Sequence, residues 1–283
     1  MITQVRAGPF SLRGVSVGGV YTSIHVAELD AVLDVGVTQR ASAVVGRYFI
    51  SHGHLDHVGG LAGLLNARSL LGLAPATVFI PAAIEAQIRA LLDAHAALSR
   101  TALDVTLVPM EHGDERDLGR GLFVRALRTY HPVASLAYQF FRKVQKLRAE
   151  HRDKPADEIA RLRKAGATDL FERRDQLELA YVTDTLSRAL DASPELLKSR
   201  VLVLECTFVD AARTVDEARR KAHIHVDELA AMADRFESDA VVLMHFSQAL
   251  SPAATREALA ARLPEALRAR VVPFIPDGDR WFE

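Results

Sequence analysis

The sequence predicts an α/β protein, and three stretches carry that prediction. From Phe10 to Val37, short β-branched runs alternate with glycine turns, as in GVSVGGVYTSIHV and AVLDVG, which is the pattern of a strand meander. Tyr48-Phe49-Ile50 is a short apolar strand that passes through a loop and a Gly-Gly pair into an amphipathic helix carrying Leu61, Leu64, Leu65 and Leu71. Beyond it, apolar strands and amphipathic helices follow one another toward the C-terminus. The 283 residues are 49% hydrophobic and 25% charged with a formal net charge of −1, enough apolar material for a substantial core.

Within the meander, Asp34-Val35-Gly36 closes a strand at the edge where the loop after Ile50 follows, and His25, between Ile24 and Val26, reads as structural. Ala76-Thr77-Val78-Phe79-Ile80 is a strand closed by Pro81, and IEAQIRALLDAHAAL is a helix with His95 near its end, where a solvent-facing imidazole is ordinary. VTLVPM is a strand, EHGDERDLGRG a charged turn with His112 exposed, and His131 follows a further strand and precedes Pro132. Residues 142–174 hold eleven Lys/Arg against six Asp/Glu, a balance of +5 that leaves −6 for the rest. That asymmetry suits a patch for an anionic partner, and a solvated helical insert, EIARLRKAG ending at Gly166, explains it equally well. LELAYVTDT, RVLVLECTF and AVVLMHFSQAL are strands, KAHIHVDELA leads into a helix, and VVPFIPDGDRWFE closes the chain.

The loop after Ile50 reads Ser51-His52-Gly53-His54-Leu55-Asp56-His57, four potential metal donors within six positions. In an extended loop His52 and His54 point the same way, while Asp56 and His57 begin the next turn and point to a neighbouring position. One segment can therefore feed two adjacent ions. Gly53 and the Gly59-Gly60 pair leave room for close backbone approach.

This HxHxDH order, after a strand and before a helix, resembles the signature of the metallo-β-lactamase superfamily. The later elements resemble its ribonuclease Z branch: His131 with Val133, Ser135 and Tyr138; Asp184-Thr185 at a strand end, with Thr183 where glycine is usual; Glu205-Cys206-Thr207-Phe208; His223 before a helix; and His245-Phe246-Ser247. The resemblance runs from about residue 10 to the C-terminus. It implies one domain over residues 1–283, a four-layer αββα sandwich with a basic helical insert at about 142–174. It implies a first metal site of His52, His54 and His131, a second of Asp56, His57 and His245, and Asp184 as the bridge. His223 would approach the scissile phosphate, with Glu205 orienting it, and Asp56 would also orient the attacking water. The role of His225, where the family has a hydroxyl residue, stays open. Gln248 stands where the family often continues with arginine.

The expected cofactors are two divalent ions, zinc before manganese, since no thiolate joins the set. The expected activity is that of a metal-dependent phosphodiesterase of ribonuclease Z type acting on RNA, with a cyclic-nucleotide phosphodiesterase, a thioester or lactone hydrolase and a non-enzymatic scaffold as alternatives. The interval 132–183 holds Pro132, Pro155 and Gly166 and no Gly/Pro-rich arm for gripping tRNA. Relatives imply a homodimer. No apolar run reaches the roughly 18–20 residues of a membrane span, and MITQVRAGPF has no leader pattern, so a cytoplasmic protein is expected. Cys206, the single cysteine, excludes an internal disulfide and reads as a core residue.

Overall fold

The computed structural model describes residues 2–167 and 169–282. Two seven-stranded sheets form in chain order. The first joins β1 (Thr3–Ala7), β2 (Phe10–Val17), β3 (Tyr21–Val26), β4 (Ala31–Leu33), β5 (Arg47–Phe49), β6 (Ala76–Pro81) and β7 (Val105–Met110). The second joins β8 (Glu115–Gly119), β9 (Leu122–Arg128), β10 (Leu136–Leu147), β11 (Phe171–Val182), β12 (Val201–Glu205), β13 (Ala240–Met244) and β14 (Val271–Pro273). Helices α1 (Leu55–Val58), α2 (Leu61–Leu70) and α3 (Glu85–Ser99) belong to the first half. The second holds α4 (Ala156–Lys164), α5 (Arg188–Ala192), α6 (Val215–Arg220), α7 (Val226–Ala231), α8 (Pro252–Arg262) and α9 (Glu265–Arg268).

Strand periodicity explains the layering. Alternate side chains of one strand leave on opposite faces, and here each face meets a different core. Leu33, Phe49, Val203 and Val242 enter a cluster shared by both sheets, together with Leu12, Tyr138 and Phe140. Their neighbours Val32 and Tyr48 face outward onto Leu61, Leu64 and Leu65 of α2 and Ile88 and Leu92 of α3. Leu202, Leu204, Val241 and Leu243 face outward onto Leu190, Leu229, Leu259 and Leu267 of α5, α7, α8 and α9. The result is helix, sheet, sheet, helix, the αββα sandwich. Strands buried on both faces need unbroken apolar sequence, and VLVLE of β12 and AVVLM of β13 are buried throughout.

Three local expectations change. Leu71 is exposed and caps α2 instead of joining its apolar face. The charged turn after β7 contains a strand, β8, held by antiparallel pairing with β9. Among the described residues the basic insert is helical only over a 3-10 turn at Ala149–His151 and over Ala156–Lys164, because β10 and β11 extend outward as a paired ribbon in which Arg142 meets Gln176 and Leu147 meets Phe171. Charged sequence such as RKVQKL has no marked apolar stripe of either period, and cross-strand pairing decides its conformation.

Candidate metal centre

The loop after β5 is shaped by what lies beneath it. His54 has extended backbone (φ −68°, ψ 148°) and is the N-cap of α1, so His52 and His54 leave from an extended segment and Asp56 and His57 from the first helical turn. Residues 34–38 run directly under this turn. A Cβ at Gly36 would sit 1.9 Å from the Asp56 carbonyl oxygen, and one at Gly60 would sit 2.5 Å from the Val37 carbonyl carbon. Glycine is required at these two points for one backbone to cross another, whereas a Cβ at Gly53 would meet only Ile84 at an ordinary 3.7 Å. The open backbone expected at Gly53 and Gly59-Gly60 is thus a packing demand at Gly60.

Above the loop the side chains gather into two adjoining clusters. His52, His54, His131 and Asp184 bring one donor atom each within 4.8 Å of one another, and so do Asp56, His57 and His245. In the first, His52 Nε2 and His131 Nε2 lie 3.0 and 3.3 Å from His54 Nδ1. In the second, His57 Nε2 is 3.4 Å from Asp56 Oδ2. Asp184 joins the two: its Oδ1 is 3.3 Å from His57 Nε2 and 3.2 Å from His245 Nε2, while its Oδ2 is 3.7 Å from His52 Nε2. Donors around a tetrahedral zinc ion stand about 3.3 Å apart, given bonds of about 2.0 Å. These spacings suit one ion in each cluster.

The surrounding hydrogen bonds test that fit. His57 donates from Nδ1 to Asp34 Oδ2 at 2.6 Å, and His52 Nδ1 contacts Ser51 Oγ, which donates to Asp34 Oδ2 at 2.7 Å. Tyr181 donates to the same oxygen at 2.5 Å, and the Ser51 N–H donates to Asp34 Oδ1 at 2.6 Å. On the other side Thr207 donates to Glu205 Oε2 at 2.6 Å and accepts from His245 Nδ1 at 3.0 Å. Each of these three histidines is therefore held with its Nε2 lone pair facing the clusters, the second-sphere arrangement that metal-binding imidazoles use. His57 Nε2 and His245 Nε2 are buried and, among the described residues, have no hydrogen-bond partner. A buried donor or acceptor left alone is costly, and a cation at each cluster would satisfy them. The residues fit two divalent ions.

Electrostatics points the same way. Burial and the neighbouring imidazoles push His52 down to about 2, so it stays neutral and its lone pair is available. Burial opposes charge on Asp56 and Asp184, yet the histidines around them hold both carboxyls well below the usual range. His57 is buried too, but Asp184 and Asp34 raise it well above the ordinary histidine value, so the carboxylates favour a positive charge at its Nε2, a proton that a bound cation would displace. At the rim, His223 Nδ1 is 3.0 Å from Glu205 Oε1, and against its burial that carboxylate raises His223 to about 9. The His223 ring lies 5.4 Å from that of His245 and 5.7 Å from that of His131, beside both clusters.

All seven expected ligands and the pair His223 and Glu205 thus meet at one pole of the sandwich. His225 has a place as well: it is the buried N-cap of α7, with Nδ1 accepting from the Asp227 N–H and Nε2 against the Asp210 carbonyl. His25 lies half-buried in β3, His95 and His112 are exposed, and Cys206 is buried in the outer core of the second sheet. Gln248 is exposed. Asp34, Ser51, Tyr181 and Thr207 were not singled out as site residues from sequence. A lone aspartate at a strand end gives no signal, although its place just ahead of the metal-donor loop does. Thr183 also acquires a function, donating to Asp184 Oδ1 at 2.8 Å. Backbone strain concentrates here: Asp34, Asp184 and His245 have φ of 55°, 40° and 62°, left-handed values that non-glycine residues hold only when their surroundings enforce them.

A family model described as a beta-lactamase superfamily domain matches residues 29–246. The chain is 32% identical over 264 residues to tRNase Z TRZ1 of Arabidopsis thaliana, covering 93% of this chain and 94% of that protein. Two solved structures share the fold. The metallo-beta-lactamase fold protein YhfI from Bacillus subtilis has a TM-score of 0.63 and 14% identity, covering 98% of this chain and 96% of that one. Human tRNase Z, short form, has a TM-score of 0.57 and 20% identity, covering 87% and 92%.

Proposed function

We infer that this chain, which belongs to the beta-lactamase superfamily and is a ribonuclease Z-like, metal-dependent hydrolase within it, cleaves a phosphodiester of RNA, in the manner of tRNA 3′ processing. The observation that carries the choice of substrate is the His223–Glu205 pair beside both clusters. A phosphodiester expels an alkoxide, which needs a proton as it leaves. A histidine raised to about 9 by a buried carboxylate carries that proton at neutral pH. Thioester hydrolysis, whose leaving group departs as a stable thiolate, has little use for it.

His52, His54 and His131 would hold one ion, Asp56, His57 and His245 the other, and Asp184 would bridge them. The nitrogen and oxygen donors suit zinc first, and manganese also. Bound there, two such ions supply a water acidic enough to attack near neutral pH and charge to balance the phosphoryl oxygens. Asp56, on the open side of its cluster, accepts a hydrogen bond from the attacking water and turns its lone pair toward phosphorus. His223 delivers its Nε2 proton to the leaving oxygen, and Glu205 keeps the ring in place through Nδ1. Asp34 and Thr207 prevent the ligand imidazoles from rotating.

The reading places the chain as a single domain in the cytoplasm and as a homodimer. No helix among the described residues is long and apolar enough to cross a membrane. A monomer mass at micromolar concentration would overturn the dimer. The function is tested by hydrolysis of a small activated phosphodiester by metal-loaded protein beside Asp56→Ala. Turnover by the wild type and its near-complete loss in the variant, with metal content falling toward one ion, is the expected result. Full activity and two ions in Asp56→Ala would show the site to be wrongly assigned. Precursor tRNA against a cyclic nucleotide then separates the nuclease from a small-molecule phosphodiesterase.

A further inference from the structure

Next to the first cluster stands a pair of arginines that no element of the reaction has used. Arg128 closes β9 and Arg188 opens α5, and both lie over the ring of Tyr130, with guanidinium carbons 5.2 and 4.0 Å from its centroid. Tyr130 immediately precedes His131. Its N–H donates to Thr185 Oγ1 at 2.8 Å and its carbonyl accepts from the Leu186 N–H at 3.3 Å, so the ring is tied to the loop that follows Asp184. Both arginines are exposed.

Among the described residues, neither guanidinium has a carboxylate within ion-pair distance or a hydrogen-bond acceptor. Several other cations of this region are already committed. Arg125 is held by Glu115 and Asp175. On the basic ribbon, Arg142, Lys143, Arg148, Lys154, Arg161 and Arg174 each face a carboxylate. A guanidinium braced on an aromatic face, with its donors uncommitted, is pre-organised for a planar, two-point grip on an oxyanion. Arg128 also lines an open groove of about 510 Å³ that reaches His131 between Pro81, Met110, Pro132 and Val133.

We propose that Arg128 and Arg188, braced on Tyr130, clamp a phosphate of the RNA strand next to the scissile one, with the adjoining nucleotide lying in the groove beside His131. The proposal rests on the phosphodiester reading above and adds to it the contact that makes a polynucleotide a better substrate than a small diester. The scissile phosphate belongs at the two clusters. The arginines stand outside His131 on the exposed rim, where the chain of a longer substrate must pass.

The test measures two properties of metal-loaded Arg128→Ala and Arg188→Ala. The first is affinity for a short fluorescent RNA with phosphorothioate linkages, which keep every charge while resisting hydrolysis, read by anisotropy across a salt series. The second is turnover of a small activated diester. Both residues are exposed, so the fold should tolerate the changes. Each substitution should weaken RNA binding roughly tenfold, as loss of a charge-assisted hydrogen bond does, and should flatten the slope of log affinity against log salt by about 0.7. Small-diester kcat and KM should not move. Arg128→Lys should recover the slope but only part of the affinity, since it restores the charge without the fork. Unchanged RNA affinity and slope in both alanine variants would overturn the clamp, and so would an equal loss on the small diester, which would place the arginines at the reacting centre. A wild type that hydrolyses no diester would defeat the phosphodiester reading, while the binding series would still decide the clamp.

Discussion

In both sheets the first four strands pair antiparallel, from β1 to β4 and from β8 to β11, and the strands from the fourth onward pair parallel, from β4 to β7 and from β11 to β14. In both, an aspartate with left-handed backbone follows the fourth strand: Asp34 directly after β4 and Asp184 two residues after β11. The two halves use this shared plan differently. The first concentrates four donors in the loop after its fifth strand, with Asp34 beneath them as a fully buried acceptor of four hydrogen bonds. The second spreads its donors one to a strand end, with His131 after β9, Asp184 after β11 and His245 after β13, and it sends its aspartate carboxylate into the clusters. The first half of the centre is therefore shaped by a turn. The second half exists only when several strands are in register, so the contact of Asp184 with both clusters depends on the whole sandwich being assembled.

The difference between the twin aspartates can be broken by experiment. Asp184→Asn removes the negative charge between two would-be cations and should empty both clusters, lowering turnover on the order of a thousandfold or more, the scale of a group acting at the reacting centre. Metal analysis should find less than one ion per chain. Asp34→Asn should act on orientation alone: metal affinity falls roughly ten- to a hundredfold through His57 and His52, and activity returns at high metal concentration. If Asp34→Asn were as damaging as Asp184→Asn at saturating metal, the distinction between support and bridge would collapse.

Glu205, at the end of β12, sharpens the comparison because it occupies the fifth-strand position of the second sheet and, as a carboxylate, keeps a proton on His223, where the first half's fifth strand leads to metal donors. His223 is raised from 6.5 to about 9, so its pairing stabilises the fold fully below pH 6.5, and that contribution is lost as pH rises through 9. Chemical denaturation of the chelator-treated protein should show stability declining across that window, and His223→Ala should flatten the decline while leaving metal binding intact. The smallest effect expected is that of Thr183→Gly. It deletes one hydrogen bond to Asp184 Oδ1 and should lower kcat by about fivefold, matching about 1 kcal/mol. An unchanged kcat would reduce Thr183 to a packing residue.

What could be read before any coordinates follows from the range over which each interaction acts. The donors from His52 to His57 are legible because their geometry is set by the strand exit and one helical turn, both of which are local. His131, Asp184, His223 and His245 are scattered over more than a hundred residues, and only their order, matched to a family, suggested that they meet. The ribbon misled because RKVQKL and FERRDQ carry no clear strand alternation, and their conformation is decided by each other. Apolar strands separated by amphipathic helices made the α/β class legible, while the αββα layering was expected from the family resemblance.

By itself, then, the sequence determined the kinds of element and the donor loop, since spacing along one chain is enough to specify periodicity and local turns. Tertiary structure alone decided that Asp34 supports the donor loop from beneath, that Thr207 links His245 to Glu205, that Gly36 lets one backbone pass under another, and which arginines of the rim are left without carboxylates among the described residues. Each of these depends on atoms far apart in the chain coming within a few ångströms, and hydrogen bonds and ion pairs act only at that range.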